Sequence, residues 1–138
     1  MPSLDKDQIL EYLKIDKLTD TLYRQADELR AERMGRDVHL RGIIEFSNVC
    51  TKHCCYCGIR GGNARVERYR MTEDEILEVC VQMATRHQYT VVLQSGEDPF
   101  YDRKVMGKII ARIKAETPLA VTLSIGVRDK DTLHYWKD

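Results

Sequence analysis

Ile43-Ile44-Glu45-Phe46-Ser47-Asn48-Val49-Cys50-Thr51-Lys52-His53-Cys54-Cys55-Tyr56-Cys57 is the stretch on which fold and chemistry both turn. Its first part closes an alternating run from Val38 to Ser47, rich in residues that suit a pleated strand, and the second half of that run is predicted to be the first core strand. Its last part is a loop in which Cys50, Cys54, Cys55 and Cys57, four of the five cysteines, crowd into eight residues. Disulfide frameworks spread their cysteines along the chain, so this crowding favours a bound metal.

Downstream of the loop, the apolar period switches to that of a helix. Thr72-Glu73-Asp74-Glu75 reads as a capping box, and Ile76, Leu77, Cys80, Met83 and Ala84 follow on one helical face. Tyr89 to Gln94 reads as a second strand, and Asp102 to about Glu116 as a helix with Val105, Ile109, Ile110 and Ile113 inward. Leu119 to Ile125 is a third strand, and Asp129 opens a final helix. Strands that alternate with helices must pair in parallel, because each helix is the crossover to the next strand. The fold class is therefore α/β, a partial TIM-type (β/α) barrel of about three parallel strand–helix units. A whole barrel takes about 250 residues, so the chain is expected to end within a domain. Three parallel strands without closure would leave an exposed sheet edge, which favours pairing with another chain.

Upstream, two helices are predicted to precede the first strand. Ser3 can cap the first, which carries Ile9, Leu10 and Leu13 on one side, and the second runs from about Leu18 to Met34 with Gly35 placed to end it. The expected organisation is a helical preface over residues 1–37, packing as a lid or base, and a barrel portion over residues 38–138.

Composition narrows the function classes. The chain has 138 residues, 43% hydrophobic and 32% charged, which suits one ordinary globular domain. Its 22 basic and 22 acidic side chains balance, so no single-signed field draws nucleic acid or anionic lipid. Neither a signal peptide nor a run of membrane-spanning length is present, and the expected location is the cytoplasm, with no membrane partner.

Cys50, Cys54 and Cys57 have the spacing Cys-x3-Cys-x2-Cys. Three thiolates on one tight loop can occupy three corners of a cubane 4Fe–4S cluster and leave one iron open to chemistry. A structural zinc site with His53 or Cys55 as fourth ligand is a second reading, although the paired-knuckle spacing is missing. A redox pair of Cys54 and Cys57 is a third, and the extra cysteine counts against it. Cys55 reads as a bystander and Cys80 as core. The second constellation is Leu93-Gln94-Ser95-Gly96-Glu97-Asp98-Pro99, directly after a predicted strand, where barrel enzymes bind ligands. Gly96 allows close backbone approach, and an ordinary Gly-Pro turn is the other reading of this stretch. Gly58 to Asn63 and Tyr69-Arg70-Met71 extend the cysteine loop, and Ser124 shares a face with Thr122 at the end of the third strand. His39, His87 and His134 have no partner at ligand spacing and receive no role.

The cysteine spacing resembles the radical-SAM signature. Together with Ile43 to Cys50, Tyr69 to Thr72 and the Gln94 to Pro99 stretch, it makes the chain closely similar to the HydE family, the radical-SAM maturases of iron-only (FeFe) hydrogenase in the biotin synthase-like subgroup. Biotin synthase and methylornithine synthase relatives share the flanking strand. The resemblance implies a 4Fe–4S cluster on Cys50, Cys54 and Cys57, and S-adenosylmethionine (SAM) contacted by Tyr56 at its adenine and by Ser95, Gly96 and Glu97 at its amino group. It also implies release of a 5′-deoxyadenosyl radical, a small-molecule or organometallic substrate, an electron-donor protein, and other hydrogenase maturases as partners. Two positions depart from the family pattern. Ser95 replaces the first glycine of a Gly-Gly-Glu segment, and Val127 stands after Gly126 where an acidic residue is expected. Without the later strands of a barrel, the chain alone is expected to be inactive in maturation.

Overall fold

The computed structural model describes residues 4–14 and 19–137. The chain divides into two compact units, Met1–His39 and Leu40–Asp138. The first holds helices α1 (Lys6–Lys14) and α2 (Thr19–Met34). The cap assigned to Ser3, and the start of α2 at Leu18, lie outside the described residues. Helix α1 opens on a reciprocal pair, in which the Gln8 amide donates to Asp5 Oδ1 at 2.9 Å and the Asp5 amide to Gln8 Oε1 at 3.0 Å. Gly35, at φ 81°, ends α2 in the left-handed conformation that a side chain would strain, and Arg30 donates to its carbonyl at 3.1 Å.

The second unit alternates β1 (Arg41–Ser47), α3 (Glu73–Thr85), β2 (Thr90–Ser95), α4 (Arg103–Glu116), β3 (Ala120–Ser124) and α5 (Lys130–Lys137). The strands form one sheet in the order β1-β2-β3, both pairs parallel. This is the α/β arrangement that the sequence alternation predicts. Each helix starts where a side chain satisfies its first free amides. Thr72 and Glu75 form the reciprocal box of α3, Asp102 accepts from the Lys104 and Val105 amides of α4, and Asp129 accepts from the Thr132 amide and hydroxyl of α5. Helix α3 ends at Thr85, and two residues on, His87 turns the chain away as a non-glycine residue at φ 57° whose amide donates to Ala84 O. His87 thus has a structural part that its spacing in sequence did not suggest.

One face of the sheet is buried by helices. Ile44 and Phe46 of β1 and Val91 and Leu93 of β2 pack with Ile76, Leu77, Cys80 and Met83 of α3 and with Met106, Ile109 and Ile113 of α4. Met106 sits deeper than Val105 and Ile110, which the apolar spacing had placed inward and which are half-buried. The other face carries Ile43, Val92 and Thr122 in one row and Glu45, Gln94 and Ser124 in the next, with Ile43 61% exposed. The β1–β2 register shifts between Glu45 and Ser47, a bulge that leaves both Phe46 and Ser47 buried.

Burial pushes the Cys80 thiol up to about 11. Thiol reactivity follows the thiolate, so near pH 8 Cys80 is expected to alkylate at least about a hundredfold more slowly than exposed Cys54 and Cys55 until the chain is unfolded. Mass spectrometry after timed iodoacetamide exposure measures this, and equal rates would refute the seating of α3.

Candidate functional site

The sheet places the cysteine loop at the C-terminal end of β1, beside the end of β2. Backbone bonds turn the loop back on itself, with the Cys57 amide donating to Cys54 O at 3.1 Å and the Gly61 amide to Lys52 O at 2.7 Å. Cys50 and Cys57 are half-buried, Cys54 and Cys55 are exposed, and all four thiols are free. Cys50 Sγ accepts from the Lys52 amide at 3.5 Å and from the Glu97 amide at 3.3 Å. Amide donors aimed at a sulfur are the usual surroundings of a metal-bound cysteine. Among the described residues, no three His, Cys, Asp or Glu side chains converge into a metal-binding group, so the thiols would have to draw in on a shared ligand. The donor set, three accessible thiols on one loop with amides already on one sulfur, fits an iron–sulfur cluster in its chemistry.

The Ser95-Gly96-Glu97 segment lies against the first arm of this loop. The Gly96 amide donates to Ser47 O at 3.1 Å, and Thr51 donates to Glu97 O from its amide at 3.1 Å and its hydroxyl at 3.2 Å. A methyl group on Gly96 would collide with Val49 O and stand 2.7 Å from Cys50 Cβ, so only glycine lets the two chains meet this closely. The Glu97 carboxylate pairs with Lys52 Nζ at 3.2 Å and rests against Gly126, which takes φ 81° after β3. Ser95 Oγ donates to Gly96 O at 2.7 Å. Tyr56 is 93% exposed and stands clear of this contact. The fold therefore brings Cys50, Gly96 and Glu97 together, leaves Tyr56 in solvent, and sets exposed Ser124 in register with Gln94. Gly96→Ala is expected to part the two segments and to destabilise the second unit by about 2 kcal/mol, through strain and lost hydrogen bonds. Urea unfolding followed by Trp136 fluorescence checks this.

Beneath the contact lies a group that the sequence did not mark as functional. Asp98 is fully buried, and its carboxylate accepts from Ser47 Oγ at 2.7 Å, from Arg70 Nε at 2.7 Å and Arg70 Nη2 at 3.0 Å, and from the Phe100 amide at 3.0 Å. Burial alone would raise the Asp98 carboxyl, but the bonds from Arg70, Ser47 and Phe100 outweigh it and hold it below the ordinary value. Arg70 in turn rises above its own ordinary value because of the hydrogen bonds it donates to Asp98. Because Ser47 ends β1, Asp98 follows β2 and Arg70 follows the cysteine loop, one carboxylate fastens all three. Nothing in the local pattern marks the pairing, since Ser47 and Asp98 are 51 residues apart. A cavity of about 260 Å³ opens nearby at the strand ends, lined by Glu45, Ser47, Asn48, Ile59, Tyr69, Gln94 and Ser95.

Known proteins resemble this chain in sequence and in fold. The Radical SAM superfamily model matches residues 44–138. The "[FeFe] hydrogenase maturase subunit HydE" of Thermotoga maritima is 46% identical over 122 residues, covering 86% of this chain and 34% of that protein. The "3-methylornithine synthase" of Methanosarcina acetivorans is 32% identical over 125 residues, covering 88% of this chain and 35% of that protein. This chain thus spans about a third of the length of these curated relatives. Among solved structures, methylornithine synthase (PylB) superposes with a TM-score of 0.87 at 28% identity, covering 98% of this chain and 41% of that one. The hydrogenase maturase HydG from Carboxydothermus hydrogenoformans superposes with a TM-score of 0.79 at 22% identity, covering 90% of this chain and 29% of that one, a likeness of fold. The three strand–helix units are thus part of a TIM-type barrel, and no helix among the described residues is long and apolar enough to cross a membrane. The chain belongs to the Radical SAM superfamily, whose enzymes work with a 4Fe–4S cluster and S-adenosylmethionine.

Proposed function

We propose that this chain is the cluster- and SAM-binding part of a cytoplasmic radical-SAM enzyme that helps assemble the active-site subcluster of FeFe hydrogenase. The observation that carries the reading is the seating of Gly96 and Glu97 on Cys50, which puts a cofactor-type loop in contact with a cysteine sulfur. The 46% identity to HydE favours maturation over other radical-SAM chemistry. Cys50, Cys54 and Cys57 would hold the cluster, and residues 38–138 would form the cofactor unit, which follows the helical preface of residues 1–37 in sequence. When bound, the cluster and SAM supply reductive cleavage to a 5′-deoxyadenosyl radical.

The chain's own residues bind and orient. Glu97 would accept from the SAM ammonium, for which the Lys52 ammonium 3.2 Å away is a chemical stand-in. Gly96 and Ser95 present backbone close to the first arm of the cysteine loop, and Tyr56, whose ring is exposed, would contact the adenine. The substrate is a small or organometallic molecule, the electron comes from a donor protein, and other maturases use the product. The isolated chain is expected to bind the cofactors without supporting maturation, because it spans a third of its relative's length.

The test is anaerobic iron–sulfur reconstitution, then electron paramagnetic resonance of the reduced protein with and without SAM. A reduced-cluster signal that SAM shifts is the expected result. A cluster indifferent to SAM would remove Tyr56, Ser95, Gly96 and Glu97 from the reading, and a colourless, folded chain holding one zinc would replace it with a metal-binding scaffold. The similarity to methylornithine synthase in both sequence and fold favours a second reading, a radical reaction on an organic substrate. Restoration of hydrogenase maturation in a strain lacking HydE, by a full-length gene that includes this sequence, decides between them.

A further inference from the structure

The cysteine loop is closed by a side chain outside it. Arg68 donates through Nη1 to Asn48 O, and to Ile59 O at 2.8 Å, and through Nη2 to Arg60 O at 2.8 Å and Asn63 O at 3.3 Å. Asn48 stands two residues before Cys50 and Ile59 two residues after Cys57, so one planar guanidinium spans both ends of the three-cysteine segment. Its backbone is held as well. Asn48 Nδ2 donates to Glu67 O at 2.7 Å, and the Tyr69 amide donates to Asn48 Oδ1 at 2.8 Å, so the Asn48 amide brackets Arg68 on both sides. The side chain is half-buried, and all of these acceptors are main-chain carbonyls, which a fork of fixed donors can satisfy together and a single ammonium head cannot.

We infer that Arg68 is the positioning residue of the cysteine loop, capturing carbonyls before Cys50 and after Cys57 so that both ends of the segment are held while its three thiols draw in on an iron–sulfur cluster. The inference rests on the proposed cluster reading for its purpose and on the hydrogen bonds alone for its action. A loop tethered at both ends loses less freedom when it closes on a ligand than a free one, which is how pre-organisation raises affinity.

The test compares the unchanged chain with Arg68→Ala and Arg68→Lys, and its first reading needs no cluster. Amide hydrogen exchange is followed at Cys57, Gly61 and Asn63, whose hydrogen bonds shape the loop, and at Ile44 and Leu93 in the sheet. In Arg68→Ala, loop amides are expected to exchange at least about tenfold faster while sheet amides keep their rates. Arg68→Lys keeps the charge without the fork and is expected to leave the loop nearly as open, which also serves if the alanine variant folds poorly. Reconstitution is then expected to load several-fold less iron into both variants. Loop exchange equal to that of the unchanged chain overturns the inference, and so does equal acceleration in the sheet, which would make Arg68 a general support of the fold. If the unchanged chain takes no cluster, the proposed function fails, while the exchange result still decides what Arg68 does.

Discussion

Changing Cys50, Cys54 or Cys57 singly to alanine is expected to abolish the reduced-cluster paramagnetic signal of the reconstituted protein, whereas Cys55→Ala keeps it. Three thiolates are the fewest that can hold a cubane while leaving one iron open, so removing any of them leaves a two-point attachment that oxygen and chelators strip. The effect is all or none, because the cluster and not a fraction of its affinity is lost. Cys55 is the control because it lies between ligands of the right spacing and is exposed. A signal that survives Cys50→Ala and disappears with Cys55→Ala would shift the ligand set by one position. It would also detach the Gly96 and Glu97 segment from the cluster, since that segment is seated on Cys50 and not on Cys55.

Asp98→Ala is expected to lower the unfolding free energy of the second unit by about 3 kcal/mol, because it strands the Ser47 hydroxyl, the Phe100 amide and the Arg70 guanidinium at once. Arg70→Ala is expected to cost less, about 2 kcal/mol, since Arg70 is 43% exposed and solvent screens part of its pairing. The pH dependence has a definite sign. The folded Asp98 carboxyl lies below its unfolded value, so its contribution is complete above the ordinary aspartate range near 4 and drains away as pH falls through the lower folded value. Urea titrations at neutral pH and at a series of acid pH values, read by Trp136 fluorescence, should show this acid limb in the unchanged chain and a flatter one in Asp98→Asn. Identical acid limbs in the two proteins would refute the assignment. Trp136 suits the purpose because its indole donates to Arg103 O at 2.9 Å and so reports the packing of α5 on α4.

Much of the fold was legible in local pattern. The apolar period of two in β1, the capping box at Thr72, and the helix starts at Asp102 and Asp129 are set by neighbours within four residues, and each appears where the spacing predicts. The alternation of strand and helix then leaves parallel pairing as the sole short connection. Met106 was passed over because apolar spacing cannot tell which edge of a helical stripe sits deepest, which depends on how α4 lies against the sheet. His87 was passed over because its part in ending α3 depends on a backbone angle, not on its side-chain chemistry.

By itself, the order of residues determined the strand–loop–helix grammar and the thiol spacing, because both depend on interactions a few residues long. Only the tertiary structure decided what meets the loop: Gly96 and Glu97 against Cys50, Asp98 beneath them holding Ser47 and Arg70, and Arg68 tying Asn48 to Ile59. Such contacts join segments far apart in the chain, and a buried carboxylate or a forked guanidinium finds its partners only after the parallel sheet has brought its strand ends together.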